Sequence, residues 1–246
     1  MRKLAAAVLL MILPVAVLAA EGGAQLMDPH VDVTDTASLQ RGAKLFTNYC
    51  MGCHSLKYMR YQRVADDLNI PDDVAQKYLI WDGAKLSDMM TSAMRASDAK
   101  QWLGRVPPDL TLVTRYRGPE WVYTYLNTFY RDDSQPTGVN NLLLPGAAMP
   151  HVLWRLQGIP EPVHAEETEG GETKVRVVGV KVPKNAGAMT QAQYHEATRD
   201  ITNFLTYVGE PVRATRQRIG FWVILFLLVF FGVAFMLKRE FWKDVH

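Results

Sequence analysis

Hydrophobic residues change their spacing along this chain, and each change predicts an element. Behind Met1-Arg-Lys3, an almost unbroken apolar run from Leu4 to Leu18 ends in the small residues of Val17-Leu-Ala19 or Leu18-Ala-Ala20. A run this short with a cleavage-like end predicts an export signal over residues 1–20 rather than a membrane span. An extended arm from Glu21 to Thr36 follows. Helical spacing then places Leu39, Ala43 and Phe46 on one side of a helix with Ser38 as its N-cap, and Gly42 permits another helix to cross closely. Further helices are predicted from Ile70 to Tyr78, with Pro71 near the first turn, and from Leu86 to Ala96. Pro119 to Tyr130 reads as a proline-started helix lined with aromatics, of which two or three face a pocket and the rest form core. From Thr190 to Tyr207, Ala197, Ile201, Phe204 and Leu205 recur at helical spacing, and this helix is expected to pack on the one near Ser38.

Two segments depart from that helical pattern. Glu161 to Lys184 carries Glu166, Glu167, Glu169 and Glu172 around Gly170-Gly171, then alternates through Lys174 to Val182, which predicts a surface hairpin. Ile219 to Leu237 is a nineteen-residue run without a charge. As a helix it measures about 28 Å, enough for a bilayer core. Arg213, Arg216 and Arg218 precede it, and Lys238, Arg239 and Lys243 follow, so basic flanks alone do not orient it. Export of the N-terminus does, leaving a short cytoplasmic tail. The expected class is mainly α, with an inserted surface hairpin and one C-terminal transmembrane helix. The expected divisions are 1–20 signal, 21–212 exported domain and 213–246 anchor with tail.

Charge follows these divisions. Residues 21–212 hold 19 Lys and Arg against 23 Asp and Glu, a net of −4, while the formal +2 of the whole chain comes from its two ends. The positive total therefore gives no support to nucleic-acid binding. A mildly acidic exported surface suits a basic protein partner, and the glutamates of the hairpin are either a docking site or a solubilising loop.

Both cysteines of the chain lie in Cys50-Met-Gly-Cys53-His54. Cys-x-x-Cys-His is the attachment signature of a c-type haem, with two thiols for the vinyl groups and histidine for the iron. A thioredoxin-like pair would open a helix after a strand, whereas the preceding residues are themselves helix-like. Zinc would need two more good ligands, and no second cysteine pair exists. The expectation is one covalent haem in an electron carrier.

The iron's second ligand is less direct, because the chain has 11 methionines. Met1 and Met11 belong to the signal and Met236 to the span, and Met89, Met90 and Met94 read as core filler in one helical segment. Met149 lies in a loop restrained by Pro145-Gly146 and Pro150, which favours it over His151 two residues later. A carbonyl of Pro107-Pro108 can accept the Nδ1 hydrogen of His54, although a plain turn explains these prolines equally well. Arg115 and Arg117 can pair with haem propionates.

Taken together, the chain resembles the cytochrome c1 family, in its bacterial form. The resemblance runs through the signal segment, Cys50 to His54 with Ser55-Leu56, Pro107-Pro-Asp-Leu110, Asn141 with Leu144-Pro-Gly146, Ala148-Met-Pro150, and Arg216-Gln-Arg-Ile-Gly220 leading into the anchor. It implies a c-type cytochrome domain with His54 and Met149 as axial ligands, Pro108 near the histidine side, Arg117 near a propionate, and Trp121 where the family often has tyrosine. It also implies the partners: cytochrome b, a Rieske iron-sulfur protein as electron donor, and a soluble or membrane-tethered c-type cytochrome as acceptor, in a dimeric multisubunit quinol-oxidising complex. The expected location is the bacterial cytoplasmic membrane, with the haem domain periplasmic. The alternative is an anchored c-type carrier serving a terminal oxidase or another respiratory complex.

Overall fold

The computed structural model describes residues 25–169 and 172–243. The predicted signal, Gly170-Gly171 and the last three residues lie outside the described residues. Helix α1 (Thr36–Tyr49) leads into strand β1 (Leu56–Arg60), then α2 (Tyr61–Asp67), α3 (Asp72–Tyr78), β2 (Met89–Met90) and α4 (Ala96–Leu103). Next come α5 (Val113–Tyr116), α6 (Pro119–Asn127), β3 (Phe129–Arg131), β4 (Val139–Asn141) and α7 (Trp154–Gln157). A hairpin, β5 (Glu161–Glu169) and β6 (Glu172–Lys181), precedes the long helices α8 (Gln191–Gly209) and α9 (Arg213–Phe241). The class is mainly α, and among the described residues the strands pair as three separate antiparallel two-stranded ladders.

The domain is organised on the crossing of α1 and α8. Leu39, Ala43 and Phe46 of α1 are buried, as are Ile201, Phe204 and Leu205 of α8, and the Phe46 and Phe204 rings lie 5.8 Å apart. Gly42 sits at the closest approach, where a Cβ would fall 2.1 Å from the Asp200 carbonyl oxygen. The Asp200 carboxylate is buried beside it and accepts from Ser38 Oγ at 2.7 Å and from Arg41 Nε at 2.6 Å. A buried carboxylate is costly unless so paired. Thr190 opens α8 with a reciprocal capping box to Gln193, satisfying backbone donors that a helix start leaves unbonded.

Three expectations change in detail. The N-cap of α1 is Asp35, whose side chain accepts from the Ser38 amide at 3.0 Å; Ser38 itself is inside the helix, committed to Asp200. The helix expected over Leu86 to Ala96 does not form. Met89–Met90 pair with β1 instead, Gln62 N donates to Leu86 O at 2.8 Å, and helix begins at Ala96. The unpaired edge of β1 offers those residues ladder bonds that outweigh a weak helical pattern. The aromatic helix stops at Asn127, and Phe129–Arg131 becomes a strand paired antiparallel with Val139–Asn141.

Helix α9 spans 29 residues, its most apolar 18-residue stretch has mean hydropathy 2.7, and none of its residues is buried against the domain. Its length is about 44 Å at 1.5 Å per residue, ample for one membrane crossing. At its root, Glu210 accepts from Arg115 of the domain at 2.5 Å and from Arg216 of the helix at 2.6 Å. The Arg216 hydrogen bond, aided by the charges of Arg216, Arg115 and Arg213, holds the Glu210 carboxyl below its usual range.

The substitution Gly42→Ala is expected to destabilise the domain by roughly 1–3 kcal/mol, because the added methyl must push α8 away. Thermal unfolding followed by circular dichroism measures this; a Tm equal to wild type would contradict the crossing.

Candidate functional site

The five motif residues form one further turn at the end of α1. Cys50 N donates to Phe46 O at 2.8 Å, and the amides of Cys53 and His54 both return to Cys50 O, at 3.1 and 2.9 Å. Helical continuation thus presents Cys50, Cys53 and His54 to one side. Cys50 is buried, Cys53 is partly exposed, and no disulfide joins them. Burial pushes the Cys50 thiol up to about 12, with the neighbouring Cys53 adding to the rise, and burial raises Cys53 as well.

A second strand of chain fixes the histidine. His54 Nδ1 lies 2.8 Å from the Pro108 carbonyl oxygen, so as the donor it leaves Nε2 available. Asp109 holds that carbonyl in place: its carboxylate accepts from the Lys57 amide at 2.8 Å and the Thr111 amide at 3.0 Å, while Leu110 N donates to Ser55 O at 2.9 Å. The Pro107-Pro108 pair is therefore more than a turn. Burial lowers the His54 pKa, opposed by the Pro108 bond and the Asp109 charge, which favours the neutral ring needed for metal ligation.

The loop carrying Met149 is stitched down by two asparagines. Asn140 Oδ1 accepts from Gly146 N at 2.8 Å, while Asn141, fully buried, donates to Tyr125 O at 2.8 Å and accepts from Leu143 N at 2.9 Å. The ring of His151 turns into the core, stacked on Phe129 at 5.1 Å and edge-on to Tyr194. Burial pushes its pKa down to about 4. Of the two competing side chains, Met149 lines the cleft next to His54 and His151 does not.

That cleft has two adjoining lobes of about 650 and 990 Å³ of open space, part of it continuous with solvent. Cofactor pockets run from roughly 300 to 1,000 Å³. Cys50, His54, Arg105, Pro108, Ala148 and Met149 line both lobes; Cys53 and Met94 border the first, and Arg117, Trp121 and Tyr125 the second. A broader groove of about 1140 Å³ between Gln40 and Trp81 contains none of the donor residues. Arg117 lies over the Trp121 ring at 5.0 Å, and Trp121 stacks on Tyr125 at 5.0 Å. Arg115 points elsewhere, to Glu210.

The donor set fits a c-type haem: two nearby thiols, an imidazole with one nitrogen occupied, a thioether, and walls that are otherwise largely apolar. A zinc site lacks ligands, since among the described residues no group of three or more His, Cys, Asp or Glu side chains could hold a metal ion. Sequence reasoning missed Arg105, which carries no motif, and placed Met94 in the core rather than at the cleft. Asp109 was visible in Pro107-Pro-Asp-Leu110 without its tethering role. Two aromatics of the Pro119 segment, Trp121 and Tyr125, border the cleft.

A model described as the Cytochrome C1 family matches residues 27–157 and 185–245, the two stretches on either side of the hairpin. A protein called cytochrome c1 from Allochromatium vinosum is 53% identical over 247 residues, covering 100% of both chains. One called ammonia monooxygenase gamma subunit from Nitrosomonas europaea is 41% identical over 216 residues, with 88% of this chain and 87% of that one covered. A mitochondrial cytochrome c1 haem protein from Schizosaccharomyces pombe is 27% identical, with 86% of this chain and 68% of that one covered.

The unequal burial of the two thiols gives a direct check. In chain prepared without cofactor, alkylation at mildly alkaline pH is expected to modify Cys53 faster than Cys50, since the thiolate is the reactive form. Mass spectrometry of the digested protein reads both sites, and equal rates would contradict the packing at the end of α1.

Proposed function

Because this chain belongs to the cytochrome c1 family, we propose that it is the covalent one-haem subunit through which electrons leave a quinol-oxidising, proton-translocating membrane complex. One observation carries the reading: Cys50, Cys53, His54 and Met149 line a single cleft in a domain that ends in one long apolar helix. Cys50 and Cys53 supply the thioether bonds. His54 presents Nε2, since Pro108 occupies Nδ1. Met149 would hold the iron through its thioether sulfur, and Arg117 with Trp121 would lie by the haem carboxylates.

When bound, the haem supplies a one-electron ferric–ferrous couple. The chain's share is to keep both ligands in place in either oxidation state and to exclude water with Leu110, Val113, Val122, Leu126, Ile201 and Leu205. A methionine ligand raises the potential relative to a harder one, which suits the exit end of a respiratory chain. This chain takes one electron from a reduced Rieske iron-sulfur protein and hands one to a soluble or membrane-tethered c-type cytochrome. Quinol binding falls to cytochrome b, and the isolated chain oxidises no quinol.

Residues 1–20 serve as the export signal and 21–212 as the periplasmic haem domain. Residues 213–246 form the anchor in the bacterial cytoplasmic membrane, with the C-terminus cytoplasmic. The assembly is a dimer of multisubunit protomers.

Gentle detergent purification is expected to retain cytochrome b and a Rieske protein, with the haem reduced by quinol only in the intact complex. A stable oxidase complex lacking both would overturn the assignment. Met149→Ala is expected to keep covalent haem, lose the methionine-ligated low-spin signature and lower the potential, whereas Met94→Ala preserves all three properties. Magnetic circular dichroism distinguishes them, and the reverse pattern would make Met94 the ligand.

A further inference from the structure

We propose that Arg105 and Tyr125 act with Arg117 as a carboxylate-receiving end of the cleft, positioning the haem by binding its propionate side. This rests on the haem reading above and extends it to two residues that no motif marks.

The lining of the cleft sets the chemistry that a bound group meets. Its walls are largely apolar, no Asp or Glu borders either lobe among the described residues, and Arg105 and Arg117 are the two cations that do. Haem brings two carboxylates into such a space, and a carboxylate leaving water needs charge-assisted hydrogen bonds. The sequence offered Arg115 for this task, but Arg115 is committed to Glu210 at the root of the membrane helix. Arg105 takes the vacant role. It follows Gly104, the left-handed cap of α4 at φ +72°, and this turn carries the chain from α4 towards Pro107-Pro108, so that Arg105 borders both lobes.

Tyr125 supplies the neutral donor. It sits one helical turn after Trp121, and the two rings stack at 5.0 Å with 9° between their planes. Trp121 has an indole N–H and no hydroxyl. The Tyr125 side chain is 8% exposed, lines the larger lobe, and its hydroxyl makes no hydrogen bond among the described residues. The hydroxyl oxygen is not among the buried atoms left without a partner, so it opens onto the cleft and is free to donate to a bound acceptor. Burial pushes its pKa up to about 12, opposed by the Arg105 charge, so the group is a protonated donor at any physiological pH.

Trp121 also holds Arg117 near the cleft: the guanidinium carbon lies 5.0 Å from the Trp121 ring centroid, a cation–π contact that leaves N–H groups for a carboxylate. The three donors approach from three segments: the loop after α4, the end of α5 and the middle of α6. This arrangement favours one orientation of an asymmetric macrocycle over its reverse.

The test compares the membrane-purified full chain with Arg105→Gln, Arg105→Lys and Tyr125→Phe, using haem staining after denaturation as the check on covalent attachment. All four proteins are expected to keep covalent, methionine-ligated haem. Arg105→Gln is expected to shift the propionate-bending band in the resonance Raman spectrum and lower the midpoint potential, since losing a nearby positive charge favours the oxidised iron. Arg105→Lys restores the potential but not the band, because a point charge replaces a planar fork. Tyr125→Phe keeps the ring packing and shifts the band. Wild-type bands and potentials in both Arg105→Gln and Tyr125→Phe, with covalent haem intact, would overturn the role of these residues and leave the haem assignment standing. Wild-type chain without covalent haem would overturn both.

Discussion

The close crossing of α1 over α8 is the constraint on which the rest depends. Gly42 allows the backbones to approach until a methyl group would collide with the Asp200 carbonyl oxygen, and Ser38 and Arg41 satisfy the Asp200 carboxylate at the same place. Since α1 runs without a break into Cys50, fixing that helix fixes the direction in which Cys50, Cys53 and His54 face. The same α8 buries Ile201 and Leu205 behind the larger lobe of the cleft, so one packing contact sets both the motif and the wall facing it.

The remaining walls come from segments far apart in sequence, each tied down by its own polar contacts. Asp109 ties the proline segment to the start of β1, while Asn140 and Asn141 tie the methionine loop to its own strand and to α6. These polar bonds specify position, and the buried one from Asn141 to Tyr125 also adds stability, because leaving either partner unpaired is costly. A redox site benefits directly: ligands that stay put in both oxidation states reduce the rearrangement that accompanies each electron. At the membrane end, Glu210 joins a domain arginine to a helix arginine, linking the anchor to the folded body.

Much of this was legible in the residues, for physical reasons. The α1 and α8 stripes, the apolar C-terminal run, the β-branched alternation of the hairpin and the five-residue motif are local patterns, and local patterns survive folding. Ser38 illustrates the limit: it has a cap's chemistry, yet Asp35 caps and Ser38 bonds a residue 162 positions away. Leu86 to Ala96 failed similarly, because the edge of β1 recruited Met89 and Met90 as strand. The restrained loop favoured Met149 over His151 without excluding the histidine, and the stacking of His151 on Phe129 shows why only Met149 reaches the cleft. Arg105 sits in no pattern at all; its position at the cleft follows from where α4 ends.

The central claim is that the cleft holds a covalently attached haem ligated by His54 and Met149. Near-infrared magnetic circular dichroism of the oxidised, membrane-purified protein tests it most directly. The account predicts a methionine-to-iron charge-transfer band from haem that stays with the chain after denaturation. A bis-histidine or high-spin signature, or haem lost on denaturation, would contradict it.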